Sequence, residues 1–181
     1  MAEKIKIDKH ILQGFITQYK TSFAEHRLGT DNEIYKWKAV KCFQDNWDID
    51  ASDFSAMLKS AFAKTYNLLA STNFFPKGML ESFAESEPEK LRSLFRTLFD
   101  ESVNVFKRVK AFEDGTAELL ESNSTKMTYQ NPNSISTYLW LCYPDKYYIY
   151  KYSIMKDNAQ KLCGVDLPTG KYDRMEFGFS L

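Results

Sequence analysis

Apolar residues recur every three or four positions along the first third of the chain. Ile11, Phe15, Ile16, Tyr19 and Phe23 fall at helical spacing behind Asp8, whose carboxylate can accept from the first free amides of a helix. The spacing predicts a helix from Asp8 to about Leu28, ended by Gly29. Thr30 or Asp31 caps the next, in which Ile34, Trp37, Val40, Phe43 and Trp47 form a stripe expected to be buried. After the caps of WDIDASD, the positions Phe54, Met57, Leu58, Ala61, Phe62 and Leu69 predict a third amphipathic helix.

ASTNFFPKG reads as a loop, because Pro76 pushes the residue before it out of helical geometry and Gly78 tolerates positive φ. A short helix follows from Met79 to about Ala84. Ser86 and Glu89 have the spacing of a capping box, with Pro88 in the first turn, and the helix they open carries Leu91, Leu94, Phe95, Leu98 and Phe99 on one face. Val103, Phe106, Val109 and Phe112 continue the pattern towards Leu119 and Leu120, in a separate helix for which Asp100 is the candidate cap.

The period changes after the polar stretch from Asn123 to Asn133, which reads as a long loop. Ile135, Thr137, Leu139 and Leu141 alternate with Ser136, Tyr138, Trp140 and Cys142, and most of these residue types favour strands. Tyr143 to Lys146, YPDK, suits a type I turn, so YYIYKY is expected to return as a second strand. A last helix spans Ser153 to Leu162, and VDLPTGKYDRMEFGFSL lacks a clear period. The expected architecture is mainly α, strictly α+β: a helical, bundle-like domain over residues 1–163 with six or seven helices and a small β-hairpin, then a tail or linker over 164–181.

Composition narrows the classes of function. The chain has 181 residues, 44% hydrophobic and 27% charged, which is ordinary globular usage. Lys+Arg and Asp+Glu balance at 24 each, so no global positive field draws the chain to nucleic acid or anionic lipid, and any such contact has to be local. Cys42, Cys142 and Cys163 are far apart and odd in number, which suits reduced thiols, and no window approaches the length of a membrane span. The expected location is cytoplasmic, away from the membrane.

Catalytic motifs are absent from the sequence. GVDLPTGKY, from Gly164 to Tyr172, spaces its glycines by five residues instead of four and follows Lys171 with Tyr instead of the hydroxyl residue that holds magnesium in a phosphate-binding loop. His10 and His26 flank the first helix without any metal-ligand pattern. Asp45, Asp48, Asp50 and Asp53 lack the glycine and the final acid of an EF-hand, and two or three of them read as caps and first-turn charges. EPEK, from Glu87 to Lys90, holds an E-x-K at a helix start, where a nuclease core needs a strand. No catalytic residue, metal or cofactor is assigned.

WLCYPDKYYIYKY, Trp140 to Tyr152, has the ingredients of a stacking platform, since aromatic rings stack on bases and lysines meet phosphates. One face of a hairpin must also cover the helices, which assigns about half of these rings to packing. The candidate nucleic-acid contacts are Trp140, Lys146, Tyr148, Lys151 and Lys156, with Arg92 and Arg96 as a second basic pair one helical turn apart.

Four stretches taken together, EIYKWKAVKCFQDNWDIDASDF, NLLASTNFFPKGML, EPEKLRSLFRTLFDES and ISTYLWLCYPDKYYIYKYS, resemble the N-terminal region that precedes the AAA+ module of McrB-like proteins, the motor subunits of modification-dependent restriction systems. The resemblance covers roughly Asp31 to Cys163. It implies a chain that continues past Leu181 into a nucleotide-hydrolysing AAA+ module, which assembles as a ring and works with a nuclease partner subunit. For these residues it implies a non-catalytic module of a phage-defence protein that contacts DNA or selects the target. The alternative is a protein-interaction or scaffolding domain that binds no nucleic acid.

Overall fold

A computed structural model describes residues 6–26, 33–122 and 127–180. Among them the chain forms ten α-helices: α1 Lys9–His26, α2 Ile34–Asn46, α3 Phe54–Ala61, α4 Tyr66–Leu69, α5 Pro76–Ser86, α6 Pro88–Phe99, α7 Val105–Glu118, α8 Pro132–Cys142, α9 Tyr152–Cys163 and α10 Lys171–Ser180. A 3₁₀ turn, Leu119–Ser122, extends α7. The mainly helical class expected from the sequence is correct, and the β-hairpin is not: among the described residues there is no strand, only an isolated bridge between Ser71 and Phe74.

The residues expected to form the hairpin's first strand are α8. Asn131 caps it, accepting from the amides of Asn133 and Ser134, while the Ser134 hydroxyl accepts from the Asn131 amide and Pro132 occupies the first turn. Every residue from Ser134 to Leu141 is buried. A helix covered on all sides carries no one-sided apolar stripe, so its sequence loses the helical period and its bulky residues mimic a strand. The turn at Tyr143 to Lys146 does form, with the Lys146 amide donating to Tyr143 O at 3.0 Å, but it follows a helix.

Other boundaries moved for local reasons. Asp8 and Asp53 cap α1 and α3 as expected, accepting from the Ile11 and Ala56 amides. The predicted third helix divides into α3 and α4, and α5 begins at Pro76, so Gly78 lies inside a helix. Ser86 ends α5 and donates to Ser82 O instead of capping α6. Asn104 caps α7, accepting from the amides of Phe106 and Lys107, while Asp100 accepts from Ser102. Gly29, Thr30, Asp31 and the Phe23 side chain lie outside the described residues.

The chain divides into two compact units. One runs from Tyr35 to Ile149, and the other joins the residues before it to those after it. The first is built on rings. Trp47 lies 4.8 Å from Phe43 and 5.0 Å from Phe95, Phe95 lies 5.0 Å from Phe112, and Tyr138 of α8 lies within 6 Å of Phe62, Phe95 and Phe112. Most of these contacts are edge-on, the arrangement that the ring quadrupole favours, at about 0.5–1.5 kcal/mol per pair beyond burial. The Tyr138 hydroxyl donates to Gln130 Oε1 at 2.6 Å, and Gln130 in turn donates to Pro76 O, so the polar tip of this buried ring is satisfied.

The second unit holds α1, α9 and α10. The Asp8 amide donates to Leu162 O at 2.7 Å, which joins the start of α1 to the end of α9. Gly164 stops α9 at φ 65°, with the Val165 amide reaching back to Ala159 O. A side chain there would strain the left-handed backbone that closes this cap. Where a tail or linker is expected, α10 forms and buries Met175 and Phe177.

Candidate nucleic-acid interface

The seven residues that the sequence singles out are divided between the two units. Lys151 and Lys156 belong to the unit of α9, and the other five to the unit that ends at Ile149. Both lysines are exposed, Lys151 just before α9 and Lys156 within it.

Arg92 is committed to structure. Its guanidinium donates to Ile49 O at 2.5 Å and Ala51 O at 3.0 Å, lies 4.7 Å from the centre of the Phe54 ring, and meets Glu89. It ties the segment that enters α3 to the middle of α6. The cleft beside it, about 580 Å³, is walled by the acids Asp53, Glu85 and Glu89, which repel phosphate. One turn further along α6, Arg96 pairs with Asp50 at 2.5 Å. Of the acids from Asp45 to Asp53, Asp53 caps α3 as expected, and the others are not first-turn charges of that helix: Asp50 pairs with Arg96, and Asp48 accepts from the Asp50 amide.

Lys146 is paired with Glu101 at 2.5 Å, and Tyr147 donates to the same carboxylate. The Lys146 hydrogen bond holds the Glu101 carboxyl below its ordinary range, and Glu101 raises Lys146 in return. Behind them lies Arg108, 2% exposed, which donates to Leu98 O and Tyr147 Oη, with Nε buried and unpaired among the described residues. This chain of contacts fixes the turn after α8 to the α6–α7 connection. Tyr143 adds a hydrogen bond to Phe99 O at 3.0 Å, and burial pushes its hydroxyl up to about 12. Beside it, burial pushes the Cys142 thiol up to about 11.

Trp140 is a core ring, 8% exposed, and Tyr148 is 37% exposed. The exposed indole belongs to another residue. Trp37 of α2, placed by its spacing in a buried stripe, is 58% exposed and stands against Trp140 with ring centroids 5.9 Å apart and planes inclined by 59°. At 100° per residue, Trp37, Lys38 and Lys41 share the side of α2 opposite the buried Ala39, Val40 and Phe43. Lys38 is exposed, and Lys41 forms an i,i+4 pair with Asp45 in which both side chains are more than half exposed. Such a pair contributes about 0–1 kcal/mol and exchanges readily for another anion. The sequence carries a signal for this face: Trp37 sits directly between Lys36 and Lys38.

Among the described residues no group of three or more His, Cys, Asp or Glu side chains is placed to hold a metal ion, and no helix is long and apolar enough to cross a membrane. Comparison of the chain with models of protein families, with curated proteins and with solved structures found no match.

Proposed function

We propose that this chain is a non-catalytic DNA-contacting module of an McrB-like restriction protein, and that it meets DNA through the outward face of α2. The observation that carries the reading is Trp37, an indole exposed over more than half its surface, backed by Trp140 and flanked by Lys38 and Lys41 on the same side of one helix. Packing on Trp140 limits the rotamers that Trp37 would lose on binding, and stacking of a base on such a ring contributes about 1–3 kcal/mol. Lys38, the next residue, and Lys41, one turn on, supply the phosphate contacts. The surrounding restriction system, with its AAA+ motor and nuclease partner, is the setting that the sequence resemblance supplies.

Fluorescence anisotropy tests the reading. Labelled plain duplex, methylated duplex and single strand are titrated with the chain at low salt. The expected result is micromolar binding of at least one of them, with log K falling linearly as log salt rises, because neutralised phosphates release counterions. Failure of all three to bind overturns it.

A further inference from the structure

Helix α1 carries an apolar stripe that its own unit leaves partly exposed. Ile11 is 39% exposed, Phe15 and Ile16 37%, and Tyr19 61%. At 100° per residue these side chains, with Leu12 between them, occupy one continuous arc of about 140°, the width of a face that normally packs. From Lys9 to Ser22 the helix contains no acid, although acids and bases balance over the whole chain. Lys9 and Lys20, both exposed, fall side by side on the edge of the arc next to Ile16. Eleven residues separate them, or about 16 Å along the axis. The remaining positions are mostly uncharged, as with Gln13, which donates to Thr17.

We infer that the α1 stripe is a docking surface for an acidic amphipathic helix of another protein, whose apolar face covers Ile11, Phe15, Ile16 and Tyr19 and whose carboxylates, about three turns apart, meet Lys9 and Lys20. The charge pattern selects this occupant. A second copy packed antiparallel would set Lys9 and Lys20 against their own kind, and a parallel copy would leave both lysines beside the uncharged Gln18 edge. A membrane-surface helix needs a strongly charged polar face, and this one is mostly Gln and Thr. The stripe lies on α1, a different helix from α2, and binding there does not depend on the DNA reading.

The probes are a synthetic heptad peptide of Leu and Glu, the same peptide with Lys for Glu, and vesicles of phosphatidylcholine with phosphatidylglycerol, each added to the isotopically labelled full chain. The Glu peptide should bind and shift the NMR signals of Ile11, Phe15 and Ile16. Replacing Phe15→Ser with Ile16→Ser, both surface changes, should weaken it at least about tenfold. Lys9→Glu with Lys20→Glu should reverse the preference towards the Lys peptide, which loss of apolar area alone would not do. The inference is overturned if neither peptide binds, if vesicles bind in preference, or if the chain alone forms a dimer that the serine variant disperses. Protection of Ile11, Phe15 and Tyr19 from hydroxyl-radical footprinting in the chain alone also overturns it.

Discussion

Trp37 and Trp140 stand 5.9 Å apart, one indole 58% exposed and the other 8%, so a pair of identical rings divides between surface and core. The two should respond differently to truncation. Trp140→Ala removes a buried ring and should cost about 3–5 kcal/mol in urea unfolding. Trp37→Ala should cost about 1 kcal/mol or less and still weaken DNA binding about tenfold, since the ring packs on one side only.

Arg92 lies over Phe54 and donates to two carbonyls of the segment before α3, which makes it a clamp. Arg92→Ala should destabilise the chain by about 2–3 kcal/mol, because two carbonyls lose a charged donor and the Phe54 ring loses its cover. Lysine cannot span both carbonyls with one ammonium, so Arg92→Lys should recover less than half of the loss in chemical denaturation.

The Lys146–Glu101 pair should leave a trace in the pH dependence of stability. The Lys146 hydrogen bond holds Glu101 below the ordinary glutamate value of 4.5, so its contribution is present above that pH and is lost as pH falls through the lower folded value. Lys146 is raised above 10.5, so the same contact is complete below that pH and lost as pH rises through the higher value. Melting temperature should fall between about pH 5 and pH 3 more steeply in the parent chain than in Glu101→Gln.

Gly115 of α7 lies tight against α6, since a Cβ there would meet Leu94 Cδ2 at 2.4 Å. Gly115→Ala gains helix propensity of up to about 1 kcal/mol, which offsets the displacement of a flexible leucine, and should be nearly neutral. Gly115→Val has no such compensation and should cost about 1–3 kcal/mol in thermal unfolding.

Burial that raises the Cys142 thiol to about 11 makes it a poor nucleophile. At about pH 8 its thiolate fraction is roughly two hundredfold lower than that of an ordinary cysteine near 8.5. Alkylation by iodoacetamide, followed by peptide mass spectrometry, should label Cys142 slowest of the three.

The sequence carried the one-sided helices well. In α3, α5, α6 and α7 an apolar stripe faces one way, and the stripe is what periodicity detects. It failed at α8, where burial on every side erased the stripe and the start signal lay in Asn131–Pro132–Asn133–Ser134, a stretch whose composition also reads as loop. Spacing alone could not separate Phe43 from Trp37, which share a helix, because a hydrophobic period shows where rings point and not what lies opposite them. Nor could it foresee that Arg92, Arg96 and Lys146 meet partners more than 40 positions away, Ile49, Asp50 and Glu101.

The α2 contact is tested most directly by charge reversal at two places. Lys38→Glu with Lys41→Glu and, separately, Lys151→Glu with Lys156→Glu are titrated against the same labelled DNA, with melting temperatures checked for each. The account predicts that the α2 pair loses at least about tenfold in affinity and reduces the salt slope by about 1–2, while the α9 pair changes little. Unchanged binding by the α2 pair, with loss confined to Lys151 and Lys156, would contradict it.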